Sequence, residues 1–346
     1  MTLVGERIQD DMDPRDILPG EVLERGVRHA KTESGHAYEL RHVSVGDVST
    51  WEDRARLNAH LGLLDELSTD HPEWPTPQFD KGVSNPASDD FYQSHLHDTS
   101  MQFWRDNHMP KAEALYPLQR LHDAGRLFPN KYVDEYAMDI FTNAVDSIAI
   151  RARGSIHNAL LLKHAHDTPG KTLDAIALGA GAGVPNIDAT VQVRDQLGKS
   201  IRWKEYDLSY TSLEKSIELF KEAGIPEADV TATRGDLKKA YDLPPESADI
   251  IDMLGLWEYL SKERCVVALE SLYKNLKPGG IMIVSNMLPD RPQLKVNQEV
   301  IGWQGVKPRS VDELIDIAAE AGIDTDSITI TLSDDGVYAV MEIHKP

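Results

Sequence analysis

A single cysteine, Cys265, stands in 346 residues, so no disulfide can form within the chain. Its apolar neighbours in a predicted helix mark a buried thiol rather than a nucleophile. No apolar run reaches the roughly 20 residues of a membrane-spanning helix, and the acid-rich N-terminus has no signal-peptide pattern, so the expectation is a cytoplasmic protein without membrane contact. Positive charge is scarce: 36 Lys and Arg stand against 57 Asp and Glu, for a net charge of −21. With no basic cluster to override that excess, a nucleic-acid backbone is a poor partner and a small molecule the better one. Metal-ligand spacing is also missing. His95 and His97 stand two apart in a helical context, with no cysteine or carboxylate at a matching interval, and no metal is expected. Phe91, Tyr92, Phe103 and Trp104 read as packing rather than as a stacking platform for bases. A homo-oligomer is neither required nor excluded.

The most informative stretch is 174–186. The apolar residues Ala175–Leu178 suit a strand buried on both faces, and they run directly into Gly179, Gly181 and Gly183. Glycines at alternate positions after such a strand allow a tight turn and a close approach of backbone N–H groups to a ligand. A dinucleotide fingerprint requires Gly-x-Gly-x-x-Gly or Ala. Counting from Gly179, that third position is Val184, which disfavours a nucleotide-dependent oxidoreductase. Pro185 fits the first turn of a following helix.

This loop resembles the first motif of the class I S-adenosylmethionine (SAM)-dependent methyltransferases, acidic-x-Gly-x-Gly-x-Gly. The acidic position is Ala177 here, so a polar contact is missing or supplied from elsewhere. That departure keeps open a non-catalytic SAM-binding or scaffold protein. The order of later elements strengthens the resemblance. A second strand ends at Asp207-Leu208-Ser209 before a helix over 212–223, and an acid there can accept both ribose hydroxyls of an adenosine; the alternative is that Asp207 caps the helix. A third strand, Val230–Arg234, runs into Gly235-Asp236-Leu237, where the family places an acid near the adenine amino group and an apolar residue against the ring. A fourth strand, 248–254, ends at Leu254 and opens onto Gly255-Leu256-Trp257-Glu258-Tyr259. A helix over 262–276, Lys277-Pro278-Gly279-Gly280 and a fifth strand over 281–286 follow. A helix over 310–322 then precedes a terminal hairpin of 327–332 and 337–344.

The resemblance covers residues 172–346. It implies an α/β fold: a doubly wound, mostly parallel, seven-stranded Rossmann-like sheet with a terminal antiparallel hairpin, after a mainly helical N-terminal region. Three parts are expected: an arm and accessory region (1–90), a helical lid or acceptor-pocket region (91–166) and a SAM-binding domain (167–346). Within the first two, residues 36–45 include a candidate strand, 51–67 a helix, and 68–90 a proline-rich linker. Helices are expected over 91–104, 110–124 and 131–165, the last interrupted near Gly154.

The implied activity is SAM-dependent methyl transfer to a small-molecule acceptor by in-line displacement. The implied cofactor contacts are Gly179, Ala180, Gly181, Gly183, Asp207, Leu208, Asp236, Leu237 and Leu254. Arg151 and Arg153 are unusual in an apolar stretch. A guanidinium can hold the cofactor's methionine carboxylate in bidentate fashion, and Arg151 is the candidate, against the alternative of a salt bridge. Glu258 is the candidate base, with a cofactor-side or helix-start contact as its alternative. His157, His164 and His166 read as solvated helix positions.

Overall fold

The computed structural model describes residues 12–70, 99–109, 111–301, 303 and 305–346. Phe91, Tyr92, His95, His97 and nearly all of the proline-rich stretch lie outside the described residues. Nine strands form one sheet: β1 (Val22–Lys31), β2 (Ala37–Val45), β3 (Thr172–Leu178), β4 (Ser200–Asp207), β5 (Val230–Arg234), β6 (Ala248–Met253), β7 (Leu276–Met287), β8 (Ile328–Ser333) and β9 (Tyr338–His344). Their spatial order is β1-β2-β8-β9-β7-β6-β3-β4-β5. Strands β7, β6, β3, β4 and β5 are mutually parallel, and β9 is antiparallel to both β7 and β8.

The expected seven strands are therefore nine. β2 adds in parallel to β8, and β1 closes the edge antiparallel to β2, so residues 22–45 of the expected accessory arm belong to the main sheet. β1 escapes sequence reading because it is an edge strand. It carries Arg25, Arg28, His29 and Lys31, and only Leu23 along it is buried, the charged pattern with which edge strands avoid pairing with other chains.

Alternation along the central strands builds two cores. Ile176, Leu178, Ile251, Met253, Met282 and Val284 face one side and pack with Cys265, Leu269 and Leu314; Cys265 is accordingly buried. Leu173, Ala175, Ala177, Ile201, Trp203 and Ile250 face the other, against Ile156, Leu160 and Leu161 of the helix Val145–Asp167 and Val184 and Ile187 of the helix Val184–Leu197. A third cluster joins Trp104, Phe141 and Ile150 to Met287, Trp303 and Tyr338, fastening the N-terminal helices to the ends of β7 and β9.

The helix break expected at Gly154 occurs at Ala144 instead, whose extended ψ of 145° separates Glu135–Asn143 from Val145–Asp167. Gly154 lies in unbroken helix, where a glycine costs about 1 kcal/mol relative to alanine and packing on both sides outweighs it. The expected helix over 110–124 is a series of short turns, Ala112–Leu115, Tyr116–Gln119 and Leu121–Leu127. Among the described residues no helix is long and apolar enough to cross a membrane.

Candidate functional site

At the end of β3 the backbone turns through three left-handed glycines, with φ of 65° at Gly179, 59° at Gly181 and 67° at Gly183. Gly179 N and Ala180 N both donate to Tyr206 O, at 2.8 and 3.3 Å, tying the loop to the end of β4. Space is as restrictive as conformation: a Cβ on Gly179 would stand 2.8 Å from Leu256 Cβ, and one on Gly181 2.8 Å from Ala112 Cβ. Pro185 occupies the first turn of the helix Val184–Leu197, which begins immediately after the loop.

Asp207 closes this turn from the side. Its Oδ2 accepts from Gly181 N at 2.9 Å and its Oδ1 from Ser209 N at 2.7 Å. The cap of the following helix, Tyr210–Glu222, is Ser209, whose hydroxyl accepts from Ser212 N, so Asp207 does not act as the cap. Glu113, brought in by the turn Ala112–Leu115, accepts from Ser212 Oγ at 2.7 Å and Thr211 Oγ1 at 3.1 Å. His108 and these hydroxyls outweigh burial and hold the Glu113 carboxyl at about 2. The N-terminal half is thereby clamped over the loop.

A cavity of about 310 Å³ lies between these elements. Gly179, Ala180, Gly181, Gly183, Asp207, Leu208, Asp236, Leu237, Leu254 and Glu258 all line it. Asp236 accepts from Lys238 N at 3.0 Å and sits 3.6 Å from the Arg264 guanidinium. Leu208 is 68 % exposed at the rim. Leu254 N donates to Asp252 Oδ1 at 3.0 Å. On the 3-10 turn Trp257–Tyr259, Glu258 is buried and its Oε2 accepts from Met287 N at 3.3 Å. Burial pushes its carboxyl above the usual range, with the Arg153 charge pulling the other way.

Arg151 is not at this site. Its Nε and Nη2 hold Asp47 at 2.6 and 2.8 Å, and its remaining donors reach the carbonyls of Leu118, Phe141 and Thr142. Burial alone would raise the Asp47 carboxyl, but the guanidinium and the Ser49 donors bring it below the usual range. Two helical residues advance about 200°, so Arg153 looks the opposite way, and Arg153 lines the cavity. The solvated reading of the histidines also fails for two of three: His157 and His164 are buried and His166 is exposed.

The acid absent at Ala177 has neighbours in its place. In the sheet Ala177 pairs with Glu205 on one side and Asp252 on the other, so the two carboxyls flank a methyl group on one face. Asn186 stands against both, and His157 Nε2 lies 3.8 Å from Asp252 Oδ2. Glu205 is 0 % exposed; Ser216 Oγ donates to its Oε2 at 2.6 Å, while its Oε1 and Asn186 Oδ1 have no hydrogen-bond partner among the described residues. Burial pushes the Glu205 carboxyl up to about 7 from 4.5. The signal was in the sequence: Glu205 continues the buried alternation of Ile201 and Trp203.

A stability prediction follows from that shift. A carboxyl whose folded pKa is raised takes up a proton on folding, so its contribution is most favourable below 4.5 and is lost as pH rises to about 7. Glu205→Gln removes this cost. Denaturant titration is expected to show the variant gaining up to about 3 kcal/mol over wild type at pH 8 and nothing at pH 4. A pH-independent difference would mean that folding does not raise the Glu205 carboxyl.

Among the described residues no group of three His, Cys, Asp or Glu side chains gathers as a metal site. No family model matches the sequence, and no curated protein does. Solved structures do. A protein of Bordetella parapertussis described as a possible exported protein matches with a TM-score of 0.58 and 16 % identity, over 85 % of this chain and 96 % of its own. The CurJ carbon methyltransferase matches at 0.48 and 12 %, over 81 % and 69 %. A magnesium protoporphyrin IX methyltransferase from Synechocystis PCC 6803, with bound SAM, matches at 0.43 and 13 %, over 58 % and 83 %. The likeness is one of fold.

Proposed function

We propose that the protein is a SAM-dependent methyltransferase that acts on a small-molecule acceptor. The observation that carries this reading is the convergence, on one cavity, of three left-handed glycines and the Asp207 carboxylate at the adjoining strand ends. The glycine loop would take the methionine part of the cofactor, Asp207 the ribose hydroxyls, and Asp236 with Leu237 and Leu208 the adenine. Bound SAM supplies an electrophilic methyl carbon. The chain positions the acceptor in line with it, excludes water, and provides Glu258 as a proton acceptor. The acids flanking Ala177 keep the region below the loop polar, and Val184, buried at the start of the helix, occupies the position where a dinucleotide fingerprint has Gly or Ala.

Incubation with SAM and a metabolite panel, read as S-adenosylhomocysteine released, tests the activity; cofactor binding without turnover on any acceptor would instead favour the scaffold reading. Asp207→Ala removes a charged acceptor for two hydroxyls and releases Gly181 N from the hydrogen bond that fixes the loop. The expected loss is about 1.5–3 kcal/mol in S-adenosylhomocysteine affinity by calorimetry, with the thermal transition little changed. Equal affinity in the two proteins would remove Asp207 from the site.

A further inference from the structure

Arg153 is a buried cation that, among the described residues, has no carboxylate in direct contact. It is 3 % exposed, and among the described residues its guanidinium donates a single hydrogen bond, from Nη1 to Ser285 Oγ at 3.3 Å. Its buried Nε has no hydrogen-bond partner among the described residues. The Tyr338 ring lies 4.4 Å from the guanidinium carbon, and among the described residues no carboxylate comes within the 4.0 Å of an ion pair. A stacked ring offsets only part of the desolvation of a guanidinium. Asp252 and Glu258 feel the charge of Arg153, but from beyond ion-pair distance. Asp252 is engaged by Leu254 N and stands near His157, and Glu258 is engaged by Met287 N. The cavity therefore presents a guanidinium with no carboxylate in direct contact among the described residues, and a ligand carboxylate is the chemistry that completes it.

The sheet says which ligand brings it. The partners of Arg153 stand on β7 and β9, whereas the glycine loop leaves β3 toward Asp207 on β4. In the order β9-β7-β6-β3-β4, β7 is two strands and β9 three strands beyond β3, about 10 and 14 Å at ordinary strand spacing. That is the half of the cavity opposite the expected ribose and adenine contacts, and the half that holds Glu258. Tyr259, Trp303 and Tyr338 line it as well. Trp303 Nε1 donates to Tyr259 Oη at 2.6 Å, so these two side chains satisfy each other's polar ends and leave ring faces for a ligand.

We propose that the acceptor is an aromatic hydroxy acid: its carboxylate pairs with Arg153, its ring packs against Tyr338 and Trp303, and its hydroxyl faces Glu258. The inference rests on the methyl-transfer reading. In the step, the hydroxyl proton passes to the Glu258 carboxylate and the oxygen bonds to the methyl carbon. The carbon–sulfur bond breaks with its electron pair going to sulfur, so the sulfonium becomes a thioether, and Glu258 later returns its proton to water.

The test uses the full chain loaded with S-adenosylhomocysteine. Calorimetry compares hydroxybenzoates and hydroxycinnamates with the corresponding amides and with hydroxycyclohexanecarboxylates, for wild type, Arg153→Lys and Arg153→Met. Wild type is expected to bind at least one aromatic acid ten times or more tighter than its amide and its saturated counterpart. Arg153→Met should erase the acid–amide difference, and Arg153→Lys should restore part of it. S-Adenosylhomocysteine and adenosine should bind all three proteins alike. Equal binding of acids and amides by wild type, including no binding of either, overturns the proposal. So does selective loss of S-adenosylhomocysteine over adenosine in Arg153→Met, which would give the guanidinium to the cofactor's carboxylate. Failure of wild type to bind S-adenosylhomocysteine at all is a different result, because it removes the methyl-transfer reading itself.

Discussion

Gly181→Val abolishes binding of S-adenosylhomocysteine, with an affinity loss beyond a hundredfold. Three physical effects act together. Gly181 has φ of 59°, a region in which a β-branched residue is a steric outlier and in which any side chain costs about 1–2 kcal/mol. The new Cβ would stand 2.8 Å from Ala112 Cβ, on the turn that Glu113 clamps to Ser212. Relief of either strain moves Gly181 N away from Asp207, the residue assigned to the ribose. A matched control separates conformational strain from position: Gly198 has φ of 63° and nothing within 4 Å of its Cβ site, at the far end of the helix that the loop begins. Gly198→Val pays the same backbone cost and is expected to bind S-adenosylhomocysteine like wild type. Normal binding by Gly181→Val would reduce the glycine loop to a turn.

Glu258→Gln lowers kcat about 100-fold while leaving S-adenosylhomocysteine affinity unchanged, in the range expected for loss of a positioned general base. The substitution keeps an oxygen able to accept from Met287 N, so the 3-10 turn is preserved and the change is one of proton affinity alone. The pH profile gives a second readout. Burial raises the Glu258 carboxyl, the Arg153 charge and the Met287 N–H lower it, and the balance is upward. Because the base must be ionised to work, wild-type kcat rises with pH along a limb that lies above the ordinary carboxylate range. The variant loses that limb. A variant with full kcat and an unaltered profile assigns Glu258 to packing.

The parts of this fold that were readable in sequence are those in which local pattern and tertiary role coincide. A central strand such as Ala248–Met253 is largely apolar and buried, and it forms where expected; Val230–Arg234, at the opposite edge from β1, was legible from the punctuation after it, Gly235-Asp236. The edge strand β1 was unreadable because solvent and charge suppress the alternation on which strand reading depends. The helix break at Ala144 carries no glycine or proline; it is set by packing of the two helices and by Ser147 Oγ donating to Ile140 O at 2.8 Å. In the site, glycine spacing marked the loop because backbone conformation is written into residue type. The choice between Arg151 and Arg153 was not, because it depends on where Asp47, 104 residues away along the chain, sits against the helix. Sequence shows two arginines on nearly opposite faces of one helix, about 200° apart; only the fold shows which one is already paired. Glu205 and Asp252 are intermediate, since each continues a buried alternation, but their convergence on Ala177 required the strand register.

The central claim is that the cavity over β3 and β4 takes an adenosyl amino acid. Its most direct test is calorimetric titration of the full chain with S-adenosylhomocysteine and, in parallel, with NAD. The account predicts one-to-one binding of S-adenosylhomocysteine with micromolar or tighter affinity, abolished by Gly181→Val, and no binding of NAD. Saturable binding of NAD with none of S-adenosylhomocysteine would contradict it.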